Sequence, residues 1–285
     1  MPELKNNEKV FVLGLGGSGI AGDMVYPLDP PFAYEVVRDG DLPKRVDSRS
    51  TVIAVSHSGN TSETLNAFLR AVERGASTYA VTSGGKLLDY CKEKGVPYVK
   101  IPEGGQPRAM FPYLVTPLMR MIVESFSLGY SVQDLYQGVV ESKEFLGGKP
   151  KELAQRVLGK LPVVYSSKYF PIAERMKQQF NENSKYPAFY NRVPEIHHNE
   201  IEGYRRSKDL FPILIASERI DEVTGELLSP YVIRPKFTST LKNLASLTYF
   251  VDLTSIYLAS LLGEDPYKLY VIPKAREITR KVWVN

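Results

Sequence analysis

Residues 9–19 read KVFVLGLGGSG, and this stretch decides the fold. Lys9 to Leu15 is a near-continuous apolar run, as expected of a parallel strand with both faces covered. The run ends in Gly14-Leu15-Gly16-Gly17-Ser18-Gly19, and a helix is expected from about Ser18. Glycines let the backbone approach a ligand closely, and a helix start points its N–H groups at an anion. Strand, glycine turn and helix together read as the first βα unit of a doubly wound sheet.

The next hundred residues repeat that unit. Strands are expected at Tyr34–Arg38, Thr51–Val55, Thr78–Thr82 and Tyr98–Ile101. Helices are expected over Thr61–Arg74, with Leu65, Phe68, Leu69 and Val72 on one face, and over Lys86–Lys94. Alternating βα units imply a parallel sheet. Met110 to about Phe145 reads as helical, and Gly147-Gly148-Lys149-Pro150 as a linker. A second half then restarts the pattern. It has strands at Leu161–Tyr165, Ala188–Tyr190 and Leu210–Ala216, a helix over Pro171–Asn181, a long helix over Leu241–Leu262 and a basic one over Ala275–Val282. The expected class is α/β, with two doubly wound subdomains over 1–146 and 150–285, each a parallel sheet flanked by helices.

The glycine turn also satisfies G-x-G-x-x-G, and Asp39 lies near the end of the next strand. That is the form of a dinucleotide fingerprint, so an NAD-dependent oxidoreductase competes from another reaction class. A tight turn with no ligand is the plain alternative. The second strand-to-helix loop separates these readings. Ser56-His57-Ser58-Gly59-Asn60-Thr61-Ser62-Glu63-Thr64 gathers hydroxyls at a helix start, where they can donate to phosphate oxygens. Helix capping by Thr61 explains one or two of them but not the cluster.

GLGGSGIAGD followed by AVSHSGNTSETL resembles the sugar-isomerase (SIS) domain, most closely that of the archaeal-type bifunctional phosphoglucose/phosphomannose isomerases. Gly105-Gln106-Pro107-Arg108-Ala109, Asn181-Glu182-Asn183-Ser184-Lys185 and His198-Asn199-Glu200 follow in the family's order across nearly the whole chain. The resemblance implies two sugar-isomerase subdomains, a homodimer, hexose 6-phosphates as substrates, and no metal or organic cofactor. It implies interconversion of glucose 6-phosphate and mannose 6-phosphate with fructose 6-phosphate. It places phosphate binding on Ser56, Ser58 and Thr61, with Gly17 and Ser18 lining the sugar site. Arg108 becomes the cation beside the reacting carbons, Glu182 the base and His198 the ring-opening group. The family's C-terminal lysine falls at Lys281 if Ile272-Pro273 aligns with its Thr-Pro; Lys274 is the alternative. Read as residues alone, Glu195 and Glu200 are rival bases, His197 rivals His198, and Arg108 could serve a salt bridge.

Bulk properties agree with a soluble enzyme of small anions. The 285 residues are 24% charged and 43% hydrophobic, with a net charge of +4, which is ordinary for a globular protein. No run of five Lys or Arg marks a nucleic-acid face, and no helix-turn-helix segment suggests a sugar-phosphate sensor tied to DNA. Cys91 is the single cysteine, so no disulfide framework or Cys-based zinc site is expected, and cytoplasmic residence is the default. Asn243–Leu262 imitates a membrane span, but Asp252 at its middle favours a buried core helix.

Overall fold

The computed structural model describes residues 1–283 and divides the chain into two compact units, Met1–Val132 with the segment from Leu269 onward, and Gln133–Lys268. This differs from the expected boundary at 146–150. Pro150 there opens a helix whose Leu153, Ala154 and Val157 are buried, so the presumed linker is a helix start.

The first unit holds a five-stranded parallel sheet of β1 (Lys9–Leu13), β2 (Ala33–Val37), β3 (Ser50–Ser56), β4 (Ser77–Thr82) and β5 (Tyr98–Lys100), in the order β2-β1-β3-β4-β5. All seven residues of β3 are buried, as expected of a parallel strand covered on both faces. The helices are α1 (Gly17–Asp23), α2 (Ser62–Glu73), α3 (Gly85–Lys94) and α4 (Phe111–Ser125), joined at the far end of the chain by α10 (Ile272–Trp283), which packs on α2. On one side of the sheet Phe11, Leu13, Val52 and Ala54 meet Phe68 of α2 and Leu87 of α3. The buried face of α2 is Thr64, Ala67, Phe68 and Ala71. Leu69, expected on that face, is 37% exposed.

The second unit holds α5 (Gln133–Leu146), α6 (Lys149–Val157), β6 (Leu161–Ser166), α7 (Phe170–Asn183), β7 (Phe189–Arg192), β8 (Leu210–Ile215), α8 (Arg219–Leu228), β9 (Tyr231–Ile233) and α9 (Thr240–Leu262). Its four parallel strands run β7-β6-β8-β9. Numbered from its own first strand this is 2-1-3-4, the same order as the first four strands of the other unit.

Helix α9 is long and apolar enough to cross a membrane, yet α5, α6 and α7 pack against it. Its one charge in the middle, Asp252, takes Arg175 Nε and Nη2 at 2.9 and 2.7 Å and Gln179 Nε2 at 2.7 Å. Arg175 is 2% exposed and Asp252 only partly buried, so a bidentate pair offsets the desolvation of the guanidinium.

Candidate active site

In a doubly wound sheet, ligands bind beyond the carboxyl ends of the strands where the winding reverses. In the first unit that point lies between β1 and β3. The two loops leaving it are the glycine turn and the hydroxyl loop. A Cβ on Gly14 would sit 3.0 Å from Val55 O at the end of β3, and one on Gly19 only 2.7 Å from Gly14 O. These glycines therefore serve close packing between turn, helix and strand.

The hydroxyl loop is held open by its own bonds. Gly59 has φ +63°, and a Cβ there would lie 1.8 Å from Gly84 O, so no other residue fits. Ser83 N and Oγ both donate to His57 O, at 3.0 and 2.6 Å. Asn60 Oδ1 accepts from Lys86 N–H at 3.1 Å. Thr61 occupies the N-cap position of α2, but its hydroxyl makes no capping bond. Thr61 Oγ1 instead accepts from Ser56 Oγ at 3.3 Å, and Ser58 Oγ accepts from Asn60 N–H at 3.2 Å. Both hydroxyls are acceptors here, which leaves their protons for an anion. The first N–H groups of a helix have no intrahelical partner, and those of α2 have no side-chain cap. Among the described residues, His57 Nε2 and Thr64 Oγ1 are the buried side-chain atoms without a partner. Both belong to this stretch, and burial lowers the His57 pKa, so the ring is held neutral.

Arg108 joins this unit's site from a third segment. Gly104 and Gly105 have φ of +86° and +69°, and Ala109 and Met110 N–H donate to Gln106 O at 2.8 and 3.0 Å. That turn buries Arg108 to 6% exposure. A Cβ on Gly17 would lie 3.8 Å from Pro107 O and 4.0 Å from Arg108 N, so Gly17, Ser18 and the Arg108 turn are neighbours. Asp39, which a dinucleotide reading needs, is exposed and accepts from Asp41 N–H at 3.2 Å in a local turn. Arg38 beside it pairs with Asp23.

Lys281 is on α10 in the first unit, with 76% of its side chain exposed and Glu277 at 4.0 Å. Two residues along a helix is about 200° of rotation, so it points away from the face carrying Trp283. Lys274 is exposed on the same helix.

The second unit carries Glu182 and His198. Glu182 is half-buried in the last turn of α7. Its neighbours fix that turn: Asn181 Nδ2 donates to Tyr186 O at 2.8 Å, Asn183 Nδ2 to Ser255 Oγ at 2.8 Å and Ser184 Oγ to Ser255 O at 2.8 Å. Lys185, at φ +54°, ends the helix. The segment thus clamps the helix end to α9 and holds the carboxylate between its anchors.

The rivals are engaged elsewhere. Glu200 accepts from Tyr165 Oη and Asn191 Nδ2, both at 2.6 Å, and Tyr204 Oη lies 2.8 Å from Tyr165 Oη. Burial is the main cause that raises both phenols, Tyr204 to about 12. Glu195 accepts from Asn199 Nδ2 at 2.9 Å. His197 Nε2 lies 2.8 Å from the hydroxyl of buried Thr224, whereas His198 is exposed on the short 3-10 helix Glu195–His198.

Sequence reasoning missed Asp221. It is fully buried at the second unit's own reversal, between β6 and β8. Oδ1 accepts from Ser167 N–H at 3.1 Å, and Oδ2 from Ser167 Oγ at 2.9 Å, Ser217 N–H at 2.8 Å and Glu218 N–H at 2.9 Å. A capping box with Glu218 accounts for one of these bonds. The bonds to Ser167 come from the other loop, 54 positions away. No three His, Cys, Asp or Glu side chains among the described residues gather closely enough to hold a metal ion.

Comparisons with known proteins fit this geometry. Residues 148–278 match the model of the bacterial phospho-glucose isomerase C-terminal SIS domain. A D-glucosamine-6-phosphate 4-epimerase of Sulfolobus acidocaldarius is 42% identical, over 99% of this chain and 92% of its own length. A bifunctional phosphoglucose/phosphomannose isomerase of Aquifex aeolicus is 34% identical, over 95% and 90%. The crystal structure of a hypothetical protein from Thermus thermophilus superposes with a TM-score of 0.79 at 16% identity, over 98% of this chain and 84% of that one; that likeness concerns the fold alone. Two parallel sheets of matching order, a hydroxyl loop at the first reversal, and a full-length relative at 34% identity make this chain a sugar-phosphate isomerase that belongs to the bifunctional phosphoglucose/phosphomannose isomerase family.

Proposed function

We propose that the protein interconverts glucose 6-phosphate and mannose 6-phosphate with fructose 6-phosphate through a cis-enediolate. The hydroxyl loop carries this reading: Ser58 and Thr61 keep protons to donate beside an uncapped helix start. Ser56, Ser58 and Thr61 hold the phosphate, and Gly17 and Ser18 line the sugar. His198 protonates the ring oxygen while the C1 hydroxyl gives up its proton and the C1–O5 bond breaks, a task suited to imidazole near neutral pH. Glu182 then takes the proton from C2 of the aldose and returns it to C1 of the ketose. The hydroxyl proton passes from the C2 oxygen to the C1 oxygen to complete the exchange. Arg108 stabilises the enediolate oxygens as charge develops. Lys281 is the further cation in this scheme. The engagement of His197 with Thr224 in the second unit supports the choice of His198. We further infer a cytoplasmic homodimer that works without cofactor.

A second reading comes from the 4-epimerase relative. Inversion at C4 of glucosamine 6-phosphate cannot follow from C1–C2 proton transfer alone, because C4–H is not next to a carbonyl. It becomes accessible if that transfer first makes a C2 imine. The C3–C4 bond can then break by retro-aldol cleavage and re-form on the other aldehyde face.

Proton NMR in D2O with each sugar phosphate and no added cofactor separates the readings. Deuterium entering C1 of fructose 6-phosphate, with glucose and mannose 6-phosphates appearing, is the expected result. A new C4 epimer from glucosamine 6-phosphate, with no turnover of fructose 6-phosphate, would replace it by the second reading. The oligomer is checked by light scattering.

A further inference from the structure

In the first unit a groove of about 540 Å³ opens between α2, α3 and α10. That volume suits a small organic ligand. Its walls include Leu65 and Leu69 of α2, Lys86 and Tyr90 of α3, and Arg280 and Trp283 of α10. Two cations and no carboxylate line it, and neither cation is ion-paired among the described residues. Leu69, which the helix pattern would bury, faces this groove instead. Trp283 is positioned firmly: three atoms of its six-membered ring lie 2.7 Å from where a Gly40 Cβ would be. One ring face is therefore seated on the glycine backbone, and any side chain at position 40 would displace it.

We propose that this groove is a second ligand site, for a phosphate-bearing molecule with a flat aromatic ring, a nucleoside monophosphate in class. Arg280 and Lys86 bind the phosphate by charge-assisted hydrogen bonds. Tyr90, Trp283 and the two leucines enclose the ring, whose stacking on an indole is favourable beyond its buried area. A hexose phosphate offers no such ring and is the poorer fit. The site borders the hydroxyl loop through Asn60 and Ser62 but uses none of the groups assigned to the substrate.

Trp283 is the only tryptophan, so its fluorescence reports on this groove. Titration of the full-length protein with adenosine 5′-monophosphate should give a saturable change. K86A and R280A should each weaken it at least about tenfold, the loss expected for one charged hydrogen bond. Inorganic phosphate should bind at least about tenfold more weakly, having no ring to stack. Saturating fructose 6-phosphate and the S58A variant should leave the titration unchanged. The proposal fails if no saturable change occurs, or if the K86A/R280A double variant binds as tightly as the parent. It fails equally if phosphate alone matches the nucleotide, or if fructose 6-phosphate or S58A abolishes the signal, which would place the ligand in the hydroxyl loop.

Discussion

The two units share a strand order but treat the end of the sheet in opposite ways. At the β1–β3 reversal the loops present hydroxyls whose protons are unengaged, beside a helix start with no side-chain cap. At the β6–β8 reversal the equivalent donors converge on Asp221. One end has donors left to offer; at the other they are taken up by a side-chain carboxyl group. In the second unit one carboxylate thus occupies the point where the first has open donors. The groups proposed for the chemistry in the second unit lie elsewhere, at the end of α7 and on the turn carrying His198.

The comparison can be broken at several points. Glu182→Gln keeps the shape of the α7 end and removes its basicity. The kcat should fall by ~10²–10⁴-fold, the usual contribution of a general base, with fructose 6-phosphate binding retained by calorimetry. Wild-type tritium exchange at C1 in that variant would deny the second unit its chemical role. Asp221→Ala should destabilise the protein by about 1–3 kcal/mol in urea unfolding, because a buried carboxylate loses the bonds that tie two loops together. A loss below 1 kcal/mol, on that same scale of roughly 1–3 per group, would mean that water enters freely and the plug is incidental.

Ser58→Ala should raise KM roughly tenfold with little change in kcat, as for one charged hydrogen bond made equally in ground and transition states. Thr61→Ala should behave alike and leave stability within about 0.5 kcal/mol, since Thr61 makes no capping bond. A capping-sized loss of about 1 kcal/mol with unchanged kinetics would return the loop to a structural role. The smallest effect concerns His57. Its folded pKa lies below the ordinary 6.5, so the unfolded chain takes up the proton first. Stability is complete above pH 6.5 and declines as pH falls through and below that value. The melting temperature of His57→Gln should show a flatter slope there, and an identical slope would remove His57 from the account.

Much of this was legible in the sequence because the signal was local. The apolar runs at Val10–Leu13 and Thr51–Val55 could bury both faces only inside a parallel sheet, and the glycines after them marked the turns. The class of fold and the order of the βα units followed. What was hidden depends on distant partners. Nothing near Asp221 reveals that Ser167 will bond to it. His197 and His198 look alike until Thr224 engages one of them. Gly147-Gly148 masked the start of α6, since a glycine pair reads as a linker whatever follows. Helix α10 buries none of its residues, so its pattern could not tell which unit it joins. The Glu182 segment stood out only by likeness to a family; as bare residues it is an ordinary helix end.

That C-terminal helix also constrains how the protein is made. The first unit consists of the first 132 residues and the segment after position 268, with the whole second unit intervening. A chain leaving the ribosome can assemble β1 to β5 early, because domains fold as units from the N-terminus during synthesis. It cannot seat Trp283 on Gly40 until the other 136 residues have been translated. At roughly 5–20 residues per second, those residues alone take about 7–27 seconds. Throughout that time the outer surface of α2, against which α10 packs, waits for its last neighbour, and it is more open to proteases and chaperones in the nascent chain than in the finished protein.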